Sequence, residues 1–131
     1  MKLSTKGRYG LMAMYRLKLN YGSGPMPISD IAKLEQLSES YLEQLFTQLK
    51  KNDLVKSVRG AGGGYELTRD PNEIKIGQIL KALEGDMALS CASMSTKPEC
   101  RNGSSCATKG ILDKLQNEME KVLDSMSLAD M

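Results

Sequence analysis

Histidine and tryptophan are absent from these 131 residues, and phenylalanine occurs once. The missing histidine removes Ser-His-Asp and Cys-His nucleophilic catalysis, every His-ligated zinc site, and the usual proton carrier near neutral pH. No convergent nucleophile or acid–base set replaces it, so the sequence argues against an enzyme. Aromatic residues make up only 5%, which leaves Leu, Ile, Val, Met and Ala to build the core. Long apolar runs are lacking too, and nothing approaches the roughly 18 residues of a membrane span. The opening MKLSTKGRYG is basic but has neither the apolar centre nor the small-residue cleavage site of a secretory leader. Three cysteines are an odd and small number for a disulfide framework, and they suit a reducing cytosol. These absences predict a cytoplasmic protein with no membrane partner.

What is present is the composition of a globular domain, 40% apolar and 26% charged. The net charge of +2 conceals a division at Gly60. The first 60 residues carry ten Lys/Arg against five Asp/Glu, net +5; the remaining 71 carry eight against eleven, net −3. A basic front points to an anionic partner such as nucleic acid.

Apolar spacing predicts a first helix from Thr5, as its cap, to about Asn20, ended by YGSGPMP. Lys18, between Leu17 and Leu19, marks the edge of its buried face. Ser29 is expected to cap a short helix through about Glu35. Ser38 or Ser40 then opens a longer helix with Leu42, Leu45, Phe46 and Leu49 inward, and Ser40 with Glu43 fits a capping box. Two helices joined by a short turn, with polar outward positions on the second, form a helix-turn-helix pattern. Leu54–Val58 and Tyr65–Thr68 alternate like strands around Arg59-Gly60-Ala61-Gly62-Gly63-Gly64, placing a β-hairpin wing directly after it. A phosphate-cradling loop would need a helix after the glycines, and a P-loop would also need Gly-Lys-Ser/Thr. Here a strand follows, and that tripeptide does not occur.

Asp70-Pro71-Asn72 forms a turn, and Ile74 and Ile76 lead into a helix carrying Ile79, Leu80 and Leu83 that stops at Gly85. The chain then divides into a winged helix-turn-helix domain over 1–85, a cysteine-bearing segment over 86–110, and a helix with its tail over 111–131. The middle segment holds Cys91, Cys100 and Cys106 among polar residues. Thiolates there suit zinc, copper(I) or iron–sulfur ligation, redox sensing, or no role at all. No Cys-x-x-Cys pair is present, and a closed zinc site would want a fourth Cys or a His. In the last helix, Leu112, Leu115, Met119, Val122 and Met126 recur at spacings of three and four, with Ile111 and Leu123 alongside. That narrow stripe predicts a homodimer seam.

The stretches KLSTKGRYG and SESYLEQLFTQLKKNDLVKSVRGAGGGYELTRD, with three cysteines downstream, resemble the IscR family of bacterial winged-helix repressors. The resemblance covers about residues 1–110 and implies a homodimer on a palindromic double-stranded operator. It also implies an iron–sulfur cluster on Cys91, Cys100 and Cys106, [2Fe–2S] in preference to [4Fe–4S], and control of cluster-assembly genes. Positions matching Ser40, Glu43, Gln44 and Arg59 take part in operator reading in that family. The full candidate DNA-contacting set adds Lys2, Lys6, Tyr41, Lys50, Gly60 and Gly62. By resemblance, Glu43 repels one operator class until cluster occupancy repositions it. A histidine three residues after the last cysteine completes the cluster in the best-studied branch. This chain has Lys109 there, which leaves the fourth ligand to Glu43, Asp86, Ser105, an external thiol, or an open iron. Other readings are a nitric-oxide-responsive cluster repressor and, in a different class, a small redox or cluster carrier. A related branch that controls cysteine metabolism without a cluster fits the three cysteines poorly.

Overall fold

The computed structural model describes residues 3–85 and 107–131. Among the described residues, five α-helices and one hairpin follow the order α1 (Thr5–Leu19), α2 (Ile28–Glu35), α3 (Glu39–Lys51), β1 (Val55–Val58), β2 (Gly64–Leu67), α4 (Ile76–Glu84) and α5 (Lys109–Ser125). Single 3-10 turns stand at Pro71–Glu73 and Leu128–Asp130. The fold is mainly helical, a winged helix-turn-helix with a long C-terminal helix. Among the described residues, no helix is long and apolar enough to cross a membrane.

The apolar stripes read from the sequence meet in one core. Ala13, Met14 and Leu17 of α1 pack with Ile31 of α2, the Leu42, Leu45, Phe46 and Leu49 face of α3, and Ile79, Leu80 and Leu83 of α4. At roughly 1.5–3 kcal/mol for each large side chain removed from water, this face-to-face burial holds α2 and α3 in place without strong intrinsic propensity. The antiparallel strands run from Val55 opposite Leu67 to Val58 opposite Gly64, with Val55 and Leu67 buried at the root of the hairpin.

Two helix starts differ from the sequence reading, and a third is settled between its two candidates. Ser4, not Thr5, is the α1 cap, and its side chain makes no bond to its own helix. Instead, the Glu84 carboxylate accepts from the Ser4 N–H at 3.1 Å, the Ser4 hydroxyl at 2.6 Å and the Gly7 N–H at 2.8 Å. The last residue of α4 thus satisfies donors that α1 leaves open, and its negative charge faces the positive end of that helix dipole. Pro27 precedes α2 in extended conformation, placing Ser29 inside the first turn; proline fixes the entry angle there without a side-chain cap. Ser38 caps α3 and accepts from the Tyr41 N–H at 3.1 Å. Gln36, in left-handed conformation, stops α2 early enough for Ser38 to reach that position. The Ser40–Glu43 capping box does not form, and Glu43 stays on the outer face.

The chain past α5 returns to the core. Leu128 is fully buried, its N–H bonds the Ile74 carbonyl at 2.8 Å, and the Ile76 N–H bonds the Met126 carbonyl at 2.9 Å. Lys18 has its reason here. Its ammonium donates to the Met131 main-chain oxygen and stands 5.5 Å from the Tyr15 ring centre, so its stem lies along apolar surface while the charge is satisfied at the rim.

Candidate nucleic-acid interface

Helix α3 buries one face and presents the other. Ser40, Glu43, Gln44, Thr47, Gln48 and Lys51 are all exposed, and their spacings of three and four place them on one side. The sequence reading named Ser40, Glu43, Gln44 and Lys50 on this helix and passed over Thr47 and Gln48. Continuing its own period would have reached Thr47 and Gln48. The Thr47 hydroxyl donates to the Glu43 carbonyl at 2.7 Å, which leaves its methyl group and an acceptor lone pair outward. Hydroxyl, amide and carboxylate groups on an exposed helix face are what reads base edges in a major groove.

Tyr41 stands apart from that row. It is half-buried, its ring lies edge-on to Tyr9 at 6.0 Å, and its hydroxyl is enclosed with no hydrogen-bond partner among the described residues. Tyr41 therefore seats the start of α3 on α1. Lys50 is exposed and donates to the Ser57 hydroxyl at 3.0 Å, linking the end of α3 to the first wing strand. Lys6 lies exposed in the first turn of α1, whereas Lys2 falls outside the described residues.

The four glycines of the wing have separate roles. Gly60 and Gly62 take φ of 102° and 78° at the exposed tip, with open space where a side chain would start. They make the turn and bare the backbone, which suits close approach to a phosphate. Gly63 and Gly64 are packing glycines: a Cβ would stand 2.3 Å from the Val58 carbonyl oxygen at one and 2.1 Å from the Met26 carbonyl oxygen at the other. Met26 and Tyr65 exchange N–H···O bonds of 2.9 Å in both directions, and the Tyr65 ring stacks on Phe46 of α3 at 4.5 Å. The wing is thereby fixed to both the α1–α2 connection and the recognition helix. Arg59 is exposed at the root of the tip, while Lys56 is paired with Glu66 across the strands at 3.3 Å.

Cys91, Cys100 and Cys106 lie outside the described residues. Within those residues, no group of three or more His, Cys, Asp or Glu is placed to hold a metal ion.

Residues 3–131 match the Rrf2 family, described as an iron-dependent transcriptional regulator. The HTH-type transcriptional regulator IscR of Cronobacter sakazakii (strain ATCC BAA-894) is 39% identical over 131 residues, covering all of this chain and 80% of that protein. The protein of the same name from Escherichia coli O1:K1 / APEC is 38% identical over the same span and share. Among solved structures, T. potens IscR shares 46% identity with a TM-score of 0.77, covering 100% of this chain and 85% of that one. CymR, the global cysteine regulator of B. subtilis, shares 40% with a TM-score of 0.81, covering 99% and 95%. These relatives are regulators, not catalysts, in line with the missing acid–base set. A polar recognition face, a glycine-tipped wing and a family match from residue 3 to residue 131 agree: the chain belongs to the Rrf2 family and is a DNA-binding transcriptional regulator with a winged helix-turn-helix.

Proposed function

We propose that this protein is a cytoplasmic homodimeric repressor that reads a palindromic operator and changes operator choice with the occupancy of an iron–sulfur cluster. The observation that carries this reading is the donor set. Three cysteines stand within sixteen residues, 91 to 106, in a polar segment of a chain otherwise free of soft ligands except methionine. The fold is shared with a cysteine regulator as well as with IscR, so the thiols and not the architecture make the choice.

Cys91, Cys100 and Cys106 fit an iron–sulfur group by chemistry, since thiolates are its ordinary ligands. Bound there, such a cluster supplies a redox-sensitive and labile centre, with [2Fe–2S] favoured. No histidine exists for the fourth position, which falls to Glu43, Asp86, Ser105 or an external thiol, or stays open on one iron of a [4Fe–4S] cluster. The division of labour follows the sequence: 1–85 reads DNA, 86–110 senses, and 111–131 pairs the protomers, with cluster-assembly genes as the regulated class.

The chain's own residues supply discrimination. Glu43 stands exposed beside Gln44 on the recognition face. A carboxylate facing phosphates and base acceptors costs about 1–3 kcal/mol against an operator class that offers it no donor. Replacing each cysteine by alanine should abolish iron and sulfide binding, seen as loss of visible absorption in anaerobically purified protein. Cys100→Ala should still bind DNA but lose the operator class that requires the cluster, and adding Glu43→Ala should restore that class. Equal affinity of the cluster-loaded, cluster-free, Cys100→Ala and double-variant proteins for every operator would remove the cysteines from operator choice.

Contact with DNA has its own test. Arg59→Ala should weaken operator binding by about 1–3 kcal/mol if it reads a base, and should flatten the salt dependence if it meets phosphate. Gln44→Ala should relax sequence preference at one position. Unchanged binding in both variants would place the DNA on another surface.

A further inference from the structure

The wing springs from α3 through Asn52, Asp53 and Leu54, and Asp53 takes φ of 59° in the left-handed region. A residue with a side chain is held there by its surroundings, because intrinsic preference runs the other way. The Asp53 carbonyl shows what holds it. It accepts from the Thr68 hydroxyl at 2.7 Å and from Arg69 Nη1 at 3.2 Å, both just past the end of β2. Arg69 does more than close this turn. Its Nη2 donates to Gln78 Oε1 at 3.2 Å and its Nε to the Glu73 carbonyl at 3.4 Å. Gln78 Oε1 also accepts from the Lys75 N–H at 2.9 Å, capping α4. Lys75 sits between Ile74 and Ile76, whose backbone bonds run to Leu128 and Met126 in the chain just past α5.

We propose that Arg69 is a positioning residue for operator reading: it fixes the turn from which the wing springs and registers recognition helix and wing against the α4–α5 framework. This rests on the operator-reading dimer proposed above. The geometry makes small errors costly. From Asp53 to Gly60 the chain runs seven residues, roughly 23 Å when extended, so a swing of about 10° at the turn moves the tip by ~4 Å. Contacts to DNA tolerate shifts of only about 0.5 Å. A planar fork bridges three acceptors at fixed angles, whereas a lysine ammonium on a flexible stem does not.

Two variants test it. Arg69→Met keeps the stem and removes the donors; Arg69→Lys keeps the charge and removes the fork. In the free protein, amide exchange at Leu54 and Thr68 should rise about tenfold in Arg69→Met, as expected for one or two lost hydrogen bonds, with Met14 in α1 unchanged. The DNA probe is the palindromic duplex that wild-type protein enriches from a random pool, with and without one base pair inserted at its centre. Both variants should bind the enriched duplex about tenfold more weakly and lose part of their preference for it over the inserted one.

Unchanged exchange at Leu54 and Thr68 overturns the proposal. So does a lysine variant that binds like wild type while the methionine variant fails, since Arg69 would then be a simple phosphate cation. Equal loss of protection at Met14 also overturns it, leaving Arg69 a general stabiliser. If wild-type protein enriches no duplex, operator reading itself falls, while the exchange measurements still decide whether Arg69 holds the turn.

Discussion

Leu115→Glu combined with Val122→Glu is expected to convert the protein to a monomer while leaving its helical content intact. Ile111, Leu115 and Val122 are 68%, 51% and 56% exposed on α5, and Met126, 38% exposed, follows directly past its end. At 100° per residue the three helical ones fall within an arc of about 40°, a continuous apolar row facing away from the domain. The row differs from the one read in the sequence. Leu112, Met119 and Leu123 are half-buried, Leu123 against the protomer's own core, and Ile111 takes the place given to Leu112. Burying two such side chains in a dimer contributes roughly 3–6 kcal/mol, and unpaired carboxylates in the seam reverse that gain. Operator affinity should fall by more than a hundredfold as two half-sites cease to be bound together. Sedimentation at the concentration used for DNA binding checks this, and an unchanged dimer would remove α5 from the interface.

Gly64→Ala is expected to lower stability by about 2–4 kcal/mol, and Gly60→Ala by only about 1 kcal/mol. At Gly64, an added Cβ would lie 2.1 Å from the Met26 carbonyl oxygen, 2.3 Å from its carbon and 2.7 Å from the Pro27 nitrogen. All three are backbone atoms and cannot turn aside. The clash falls on the Met26–Tyr65 pair, so two hydrogen bonds of about 1 kcal/mol each are strained together with the Tyr65 ring stack. Gly60 meets nothing, and its substitution costs only the positive φ. Thermal melts of the two variants separate these cases; a Gly64→Ala melt no lower than that of Gly60→Ala would mean that the wing root is not packed as described.

The glycine pair shows what a single sequence hides. All the wing glycines read alike as a flexible tip, because sequence gives no view of the Met26 backbone folding against them. Periodicity served well where one face meets one core: the Leu42, Leu45, Phe46 and Leu49 stripe of α3, the Leu54–Val58 strand, and the stop of α4 at Gly85 are all legible. Caps were less so, because Ser4 and Pro27 compete with Thr5 and Ser29 at distances of only one or two residues, and Ser38 was left open against Ser40. The Glu84 carboxylate that closes α1 comes from 77 residues away from Gly7, beyond any local pattern. Lys18 was legible as the edge of the α1 stripe, but its acceptor in the tail, Met131, was not. On the candidate interface, Ser40, Gln44 and Arg59 were read as polar positions and are exposed, while Thr47 and Gln48 needed only one more turn of the same helix.

The α1 cap carries a consequence for the protein's birth on the ribosome. The first helix emerges early, but the group that satisfies its Ser4 and Gly7 donors is made about 4–15 s later at the usual ~5–20 residues per second. The fully buried Leu128 follows later still. Until both arrive, α1 has an open end and the nascent core a vacant place, so the wing and recognition helix exist before the scaffold that orders them. A nascent chain stalled short of residue 84 should therefore be readily cleaved by protease within α1, and chains extended past residue 128 should resist.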